Sequence, residues 1–161
     1  MKSKSKKKRW VLGIIAAVLV LAVIGGCLFL FLPGSWKPID RFSEFQGILD
    51  SPIRQVTLRH IGYEVTFTDP DLIQPWQEGL EQLQLRKTGV NPRAMLALTG
   101  SWSGGNTNAV TLQTETGEYT LTFWEDAVFL SLFCYTPNDW ENLPFDETYF
   151  QAVERQGITY Y

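Results

Sequence analysis

Twenty-three consecutive uncharged, almost wholly apolar residues, Trp10 to Leu32 (WVLGIIAAVLVLAVIGGCLFLFL), constrain this chain more than any other feature. As a helix the run is about 34 Å long at 1.5 Å per residue. The hydrocarbon core of a bilayer is about 30 Å thick, so the run spans it with slight tilt. Lipid offers no partners to bare N–H and C=O groups, so the segment must be helical. Pro33 and Gly34 end it. Trp10 and Trp36 flank it, where amphipathic indoles favour the headgroup layer.

The flanks set an orientation. Lys2, Lys4, Lys6, Lys7, Lys8 and Arg9 precede the run, whereas Lys37 and Arg41 after it are offset by Asp40 and Glu44. The positive-inside rule predicts a cytoplasmic N-terminus, residues 1–9, and an extracytoplasmic remainder. The basic tail is attracted to anionic lipid. An adjacent span explains its charge without nucleic acid. The formal net charge of -3 averages this tail with an acidic remainder: eight positives and all seventeen acids leave residues 35–161 at -9. That balance argues against nucleic acid, teichoic acid or phospholipid headgroups as direct ligands of the outer part. It leaves a cationic partner or a neutral glycan.

Val23-Ile24-Gly25-Gly26-Cys27 resembles the lipobox of bacterial lipoproteins, which implies acylation of Cys27 as the alternative to an uncleaved anchor. Ile24 replaces the usual leucine, and Leu28–Leu32 carries the apolar run past the cysteine, so an uncleaved signal anchor is the expectation. Cys27 and Cys134 are the only cysteines, one in the span and one in an expected strand. They form neither a disulfide framework nor a zinc site. The plan resembles the small anchored domains of Gram-positive envelopes. That likeness rests on architecture and carries no residues across.

At 161 residues, one soluble domain fits behind the anchor. The expected organisation is a tail (1–9), a span (10–32), a juxtamembrane segment (33–52) and an α+β domain (53–161). Phe42, Phe45, Ile48 and Leu49 recur at helical spacing, predicting a helix packed on the sheet, with an interfacial helix as the alternative. In Arg54–Phe67 the alternation changes phase near His60-Ile61-Gly62, predicting two short strands. Thr68-Asp69-Pro70-Asp71 reads as a helix start, followed by an apolar face of Leu72, Ile73, Trp76, Leu80 and Leu83. Pro75 moves the expected start towards Gln74, and Arg86 and Lys87 suit the last turn. Strands are expected at Ala94–Trp102, Ala109–Thr114, Glu118–Trp124 and Ala127–Tyr135, joined by connections too short for parallel crossovers. A helix over Asp146–Gln156 is expected to turn Tyr149, Phe150 and Val153 inward and to end at Gly157. Ile158–Tyr161 is read as a short terminal strand. The sum is an antiparallel meander of five to seven strands with two or three helices on one face.

Catalytic sets are hard to assemble from these residues. His60 is the only histidine, in a predicted turn, and Cys134 lies in another strand. The adjacent acids Glu125-Asp126 and Asp146-Glu147 fall at turns or caps, where solvated carboxylates are ordinary. Asp69 and Asp71 suggest a calcium loop, but Pro70 breaks the spacing. No enzyme, cofactor or metal is expected. The positive signal is aromatic. Trp102 beside Asn106 and Asn108 in Ser101–Asn108 (SWSGGNTN), and Trp140 between Pro137 and Pro144, combine stacking surfaces with amide donors. Against this stands a strand-end tryptophan that merely covers the core. The expected role is a non-catalytic interaction module of the bacterial cell envelope with an envelope protein as partner. The alternative is a wall-glycan or small-ligand binding domain.

Overall fold

The computed structural model describes residues 3–60, 62–91, 108–124 and 127–157, with backbone alone for 3–9. Two compact units divide the chain, Met1–Leu32 and Pro33–Tyr161. The first is one helix, α1 (Ser3–Phe31). Its stretch Trp10–Phe31 has a mean hydropathy of 3.0, none of it is buried, and it is long and apolar enough to cross a membrane. A helix apolar on every side has no solvated face to offer water.

The second unit is α+β, with eight strands among the described residues. They are β1 (Trp36–Pro38), β2 (Ile53–His60), β3 (Tyr63–Phe67), β4 (Gln84–Val90), β5 (Asn108–Thr114), β6 (Glu118–Trp124), β7 (Ala127–Leu130) and β8 (Phe133–Pro137). Across the sheet they run β1, β4, β8, β7, β6, β5, β2, β3, and every pairing is antiparallel. The meander is confined to β5–β8. The hairpin β2–β3 joins one side of it, with the expected phase change at Gly62 (φ 84°), and β4 and β1 join the other.

One face of the sheet is covered. Val56, Leu58, Val65, Phe67, Val110, Leu112, Leu121 and Val128 alternate onto it and are nearly or fully buried. The cover is α2 (Pro70–Gln82), α3 (Phe145–Gln156) and the segment 39–49. The other face carries a threonine row: Thr66, Thr57, Thr111 and Thr120 are register neighbours, with hydroxyl contacts of 2.9 Å (Thr57–Thr66) and 3.0 Å (Thr111–Thr120). β-branched hydroxyl residues suit a pleated, half-buried surface.

Several local expectations are corrected. Residues 39–49 do not form one helix: two 3₁₀ turns, Ile39–Arg41 and Ser43–Phe45, are followed by Gly47 at φ 88°. Ile39, Phe45 and Ile48 are fully buried, so this apolar set faces the core and is not offered to lipid. The stretch 33–52 thus belongs to the same compact unit as the sheet. Helix α2 starts at Pro70 and not near Gln74, with Pro75 exposed inside it. Only the Asp71 carbonyl, one turn from the solvated start, loses its i+4 donor to Pro75. Arg86 and Lys87 lie in β4 rather than in a last helical turn, because Leu83 is already extended (φ -70°, ψ 120°) and Leu83 and Leu85 alternate inward. Ala127–Tyr135 is two strands, since Leu130 pairs with Phe133 across Ser131-Leu132. Ser131 takes φ 51° without a glycine to announce the turn. On α3 the inward residues are Phe145, Thr148, Tyr149, Ala152 and Val153, spaced by three and four, while Phe150 is 60% exposed. Gly157 ends that helix in the left-handed region (φ 63°), as expected. The expected strands Ala94–Trp102 and Ile158–Tyr161 lie outside the described residues.

Arg155 on α3 grips both carboxylate oxygens of Asp71 on α2, at 3.1 and 2.6 Å. Its hydrogen bond holds the Asp71 carboxyl below the ordinary 3.8. A carboxyl whose folded pKa is depressed stabilises the fold above the unfolded value, and that stability is lost as pH falls below it. Both side chains are exposed, so the effect is small. Asp71→Asn is expected to lower stability slightly at pH 7 and to make no difference well below pH 3.8. Thermal unfolding of both proteins across pH 2–7 checks it.

Candidate functional site

The site forms where the covered face runs out at one end of the sheet. His60 continues the inward parity of Val56 and Leu58. The register Arg59–Ala109 makes Asn108 its cross-strand neighbour, and Asn108 is paired in turn with Phe123. His60, Asn108 and Phe123 therefore make one row over β2, β5 and β6. His60 Nδ1 is 2.8 Å from Asn108 Oδ1. An amide oxygen only accepts, so Nδ1–H donates, and the Asn108 amide nitrogen remains as a donor at the cleft. The imidazole lies 5.3 Å from the Tyr149 ring and 6.1 Å from that of Phe145. The lone histidine is thus half-buried beneath α3 and is not a surface turn residue.

A short wall closes over this row. After β8 the chain turns through a 3₁₀ turn, Trp140–Asn142, into Pro144 and α3. Asp139 accepts the Glu141 N–H at 3.0 Å. Asn138 accepts the Gln84 N–H at 2.7 Å and donates to the Gln82 carbonyl at 3.2 Å, which fixes the turn to the end of α2. Trp140 is placed 6.2 Å from Phe123, centroid to centroid, and Phe145 meets Phe123 edge-on at 4.9 Å. Between wall and row lies a cleft of about 390 Å³, lined by Asn108, Phe123, Trp140, Leu143, Pro144, Phe145, Asp146 and Glu147. Its floor is aromatic and its rim carries two exposed carboxylates, with no lysine or arginine in the lining among the described residues. Those acids occupy the first turn of α3, where they complement the helix dipole.

Of the four residues singled out for ligand contact, the structure brings Asn108 and Trp140 into this one cleft. Trp102 and Asn106 lie outside the described residues, as do Glu125 and Asp126. Cys27 is exposed on α1. Cys134 and His60 are separated by four strand spacings, from β8 to β2, or about 19 Å. They also lie on opposite faces of the sheet, so a Cys–His dyad is not assembled. Burial further pushes the Cys134 thiol up, away from the thiolate. Asp69 and Asp71 form no shared cradle: Asp69 gives α2 its first backbone acceptor, and Asp71 is held by Arg155. Sequence reasoning missed Phe123 and Phe145 as lining residues. The parity of Leu121 and Phe123 would have placed the latter on the covered face, but nothing local marks Phe145 as a cleft floor. Compared with protein-family models, curated proteins and solved structures, the chain matches none.

Proposed function

We propose that the chain is a single-pass, membrane-anchored recognition domain that works without catalysis outside the cytoplasm, with the Trp140–Asn108 cleft as its binding site. The anchor is the apolar stretch Trp10–Phe31, and the basic tail before it favours a cytoplasmic N-terminus. The observation that carries the binding reading is the convergence of Trp140, Phe123 and the Asn108 amide in one cleft of about 390 Å³. That volume falls at the lower end of ordinary ligand sites, and suits one inserted side chain better than a broad interface. An acidic rim favours a neutral or cationic group, supplied by an envelope protein. A second reading, a neutral glycan, is favoured by the pairing of an indole face with an amide donor.

Affinity of the full-length protein for the partner recovered by in-cell crosslinking, or for wall fragments, tests both readings. Trp140→Ala is expected to weaken binding by roughly thirtyfold, the size of an aromatic hot spot. Asp146→Asn, on an exposed side chain, is expected to weaken a cationic ligand severalfold without changing thermal unfolding. Unchanged affinity in both variants would remove this cleft as the site.

A further inference from the structure

We propose that His60 makes the cleft selective for an uncharged amide, the carboxamide of a glutamine or asparagine side chain on the partner, an inference that rests on reading the cleft as the binding site. His60 is a positioning residue and acts through Asn108. Its Nδ1 lies 2.8 Å from Asn108 Oδ1, and its ring is held 5.3 Å from that of Tyr149 and 6.1 Å from that of Phe145. Two pairings satisfy an imidazole and an amide in contact. In one, Nδ1–H donates to the amide oxygen and the amide nitrogen is left for the cleft. In the other, a bare Nδ1 accepts from the amide nitrogen and the oxygen is left. The position of the His60 proton thus decides whether Asn108 offers the cleft a donor or an acceptor. The structure holds the first pairing, and among the described residues Asn108 Nδ2 has no hydrogen-bond partner.

The rest of the lining fits the same group. Glu147 already accepts the Gln151 amide at 3.2 Å, whereas the Asp146 carboxylate has no hydrogen-bond partner among the described residues. The lining thus offers a donor at Asn108 and an uncommitted acceptor at Asp146. A neutral amide answers both, with its carbonyl oxygen towards Asn108 and its N–H towards Asp146. An ammonium or guanidinium satisfies Asp146 but brings only donors to Asn108. A carboxylate satisfies Asn108 but is repelled by Asp146 and Glu147. An aliphatic side chain leaves both groups without a partner. Over a floor of Phe123, Phe145 and Leu143, an amide also loses less hydration than an ion. The volume of about 390 Å³, suited to one inserted side chain, makes a side chain the source of the amide.

The test uses the full-length protein in phosphatidylcholine nanodiscs, at about pH 8, above the range in which histidine ordinarily charges. His60 is the only histidine in the chain, so its imidazole nitrogen resonances are read by NMR without ambiguity. The proton is expected on Nδ1, with Nε2 bare. A proton on Nε2 and a bare Nδ1 would overturn the inference and leave the cleft standing. Glycine pentapeptides with a central glutamine, lysine or glutamate are then titrated by calorimetry. The glutamine peptide is expected to bind about tenfold or more tightly than the other two. Asn108→Asp keeps an oxygen to accept from His60 and replaces the cleft donor, so it is expected to put the lysine peptide first. Equal affinity for the three peptides, no binding of the glutamine peptide, or an order unchanged in Asn108→Asp would overturn the inference. Binding of N-acetylglucosamine in place of the glutamine peptide would also overturn it, by moving the amide to a wall glycan. The cleft reading is judged separately, by the affinities of Trp140→Ala and Asp146→Asn for the crosslinked partner.

Discussion

Trp76→Ala is expected to cost the outer domain about 3–5 kcal/mol, the range for deleting a buried large aromatic side chain. Trp76 is fully buried at the centre of α2 and, among the described residues, is the largest of the completely enclosed side chains. Its indole Nε1–H donates to Thr148 Oγ1 at 3.0 Å, and that hydroxyl donates onward to the Pro144 carbonyl. One side chain thus fills the layer between sheet and helices and ties α2 to the start of α3. A domain of this size has a total stability of about 5–15 kcal/mol, so the variant is left marginal. Trp76→Phe separates the two roles. It keeps most of the volume and leaves the Thr148 hydroxyl without its donor, for an expected loss of about 1–2 kcal/mol. Denaturant unfolding of both variants reads the difference. A loss below about 1 kcal/mol for Trp76→Ala would contradict the packing described here.

Gly79→Ala is expected to destabilise the domain, although alanine is the better helix former by about 1 kcal/mol. The reason is a backbone approach. A Cβ at Gly79 would lie 2.9 Å from the Asn142 carbonyl carbon and closer still to its oxygen. Backbone cannot swing aside as a flexible side chain can, so α2 or the 3₁₀ turn must shift. Overpacking of this kind costs about 1–3 kcal/mol, more than the propensity gain. The same shift moves Trp140, two residues from Asn142. The variant should therefore lower the melting temperature by several degrees and weaken cleft binding together. Gly79→Val should do both more strongly. A melting temperature raised by Gly79→Ala would show that the turn does not pack on the helix as described.

Gly79 also shows where sequence reading reaches its limit. In Pro70–Gln82 it reads as a weak point of the helix, a cost in propensity. Its purpose becomes visible only with the turn at Asn142, sixty-three residues later, lying against it. The elements with strong local periodicity were legible: the run Trp10–Leu32, the apolar face of α2 and the strand Glu118–Trp124. Where two periods compete across a boundary, the reading slipped. Arg86 and Lys87 follow a helix closely enough to look like its last turn, and Ser131-Leu132 reverses the chain without glycine or asparagine. The cleft was half legible. Trp140 and Asn108 stood out as an aromatic and an amide in polar loops, but their meeting depends on the register of β5 on β6 and on the path from β8 to α3. Neither is written in a local pattern.

Ligand recognition by this cleft, on the extracytoplasmic side proposed above, is open to a test in the cell. A photo-crosslinking residue placed at Asp146 of the full-length protein in the intact cell tests it most directly. Gln113, exposed on β5 and on the uncovered face, supplies the matched control position. A discrete adduct is expected from position 146, absent from position 113 and abolished by Trp140→Ala. Adducts of equal yield from both positions, unaffected by Trp140→Ala, would contradict it.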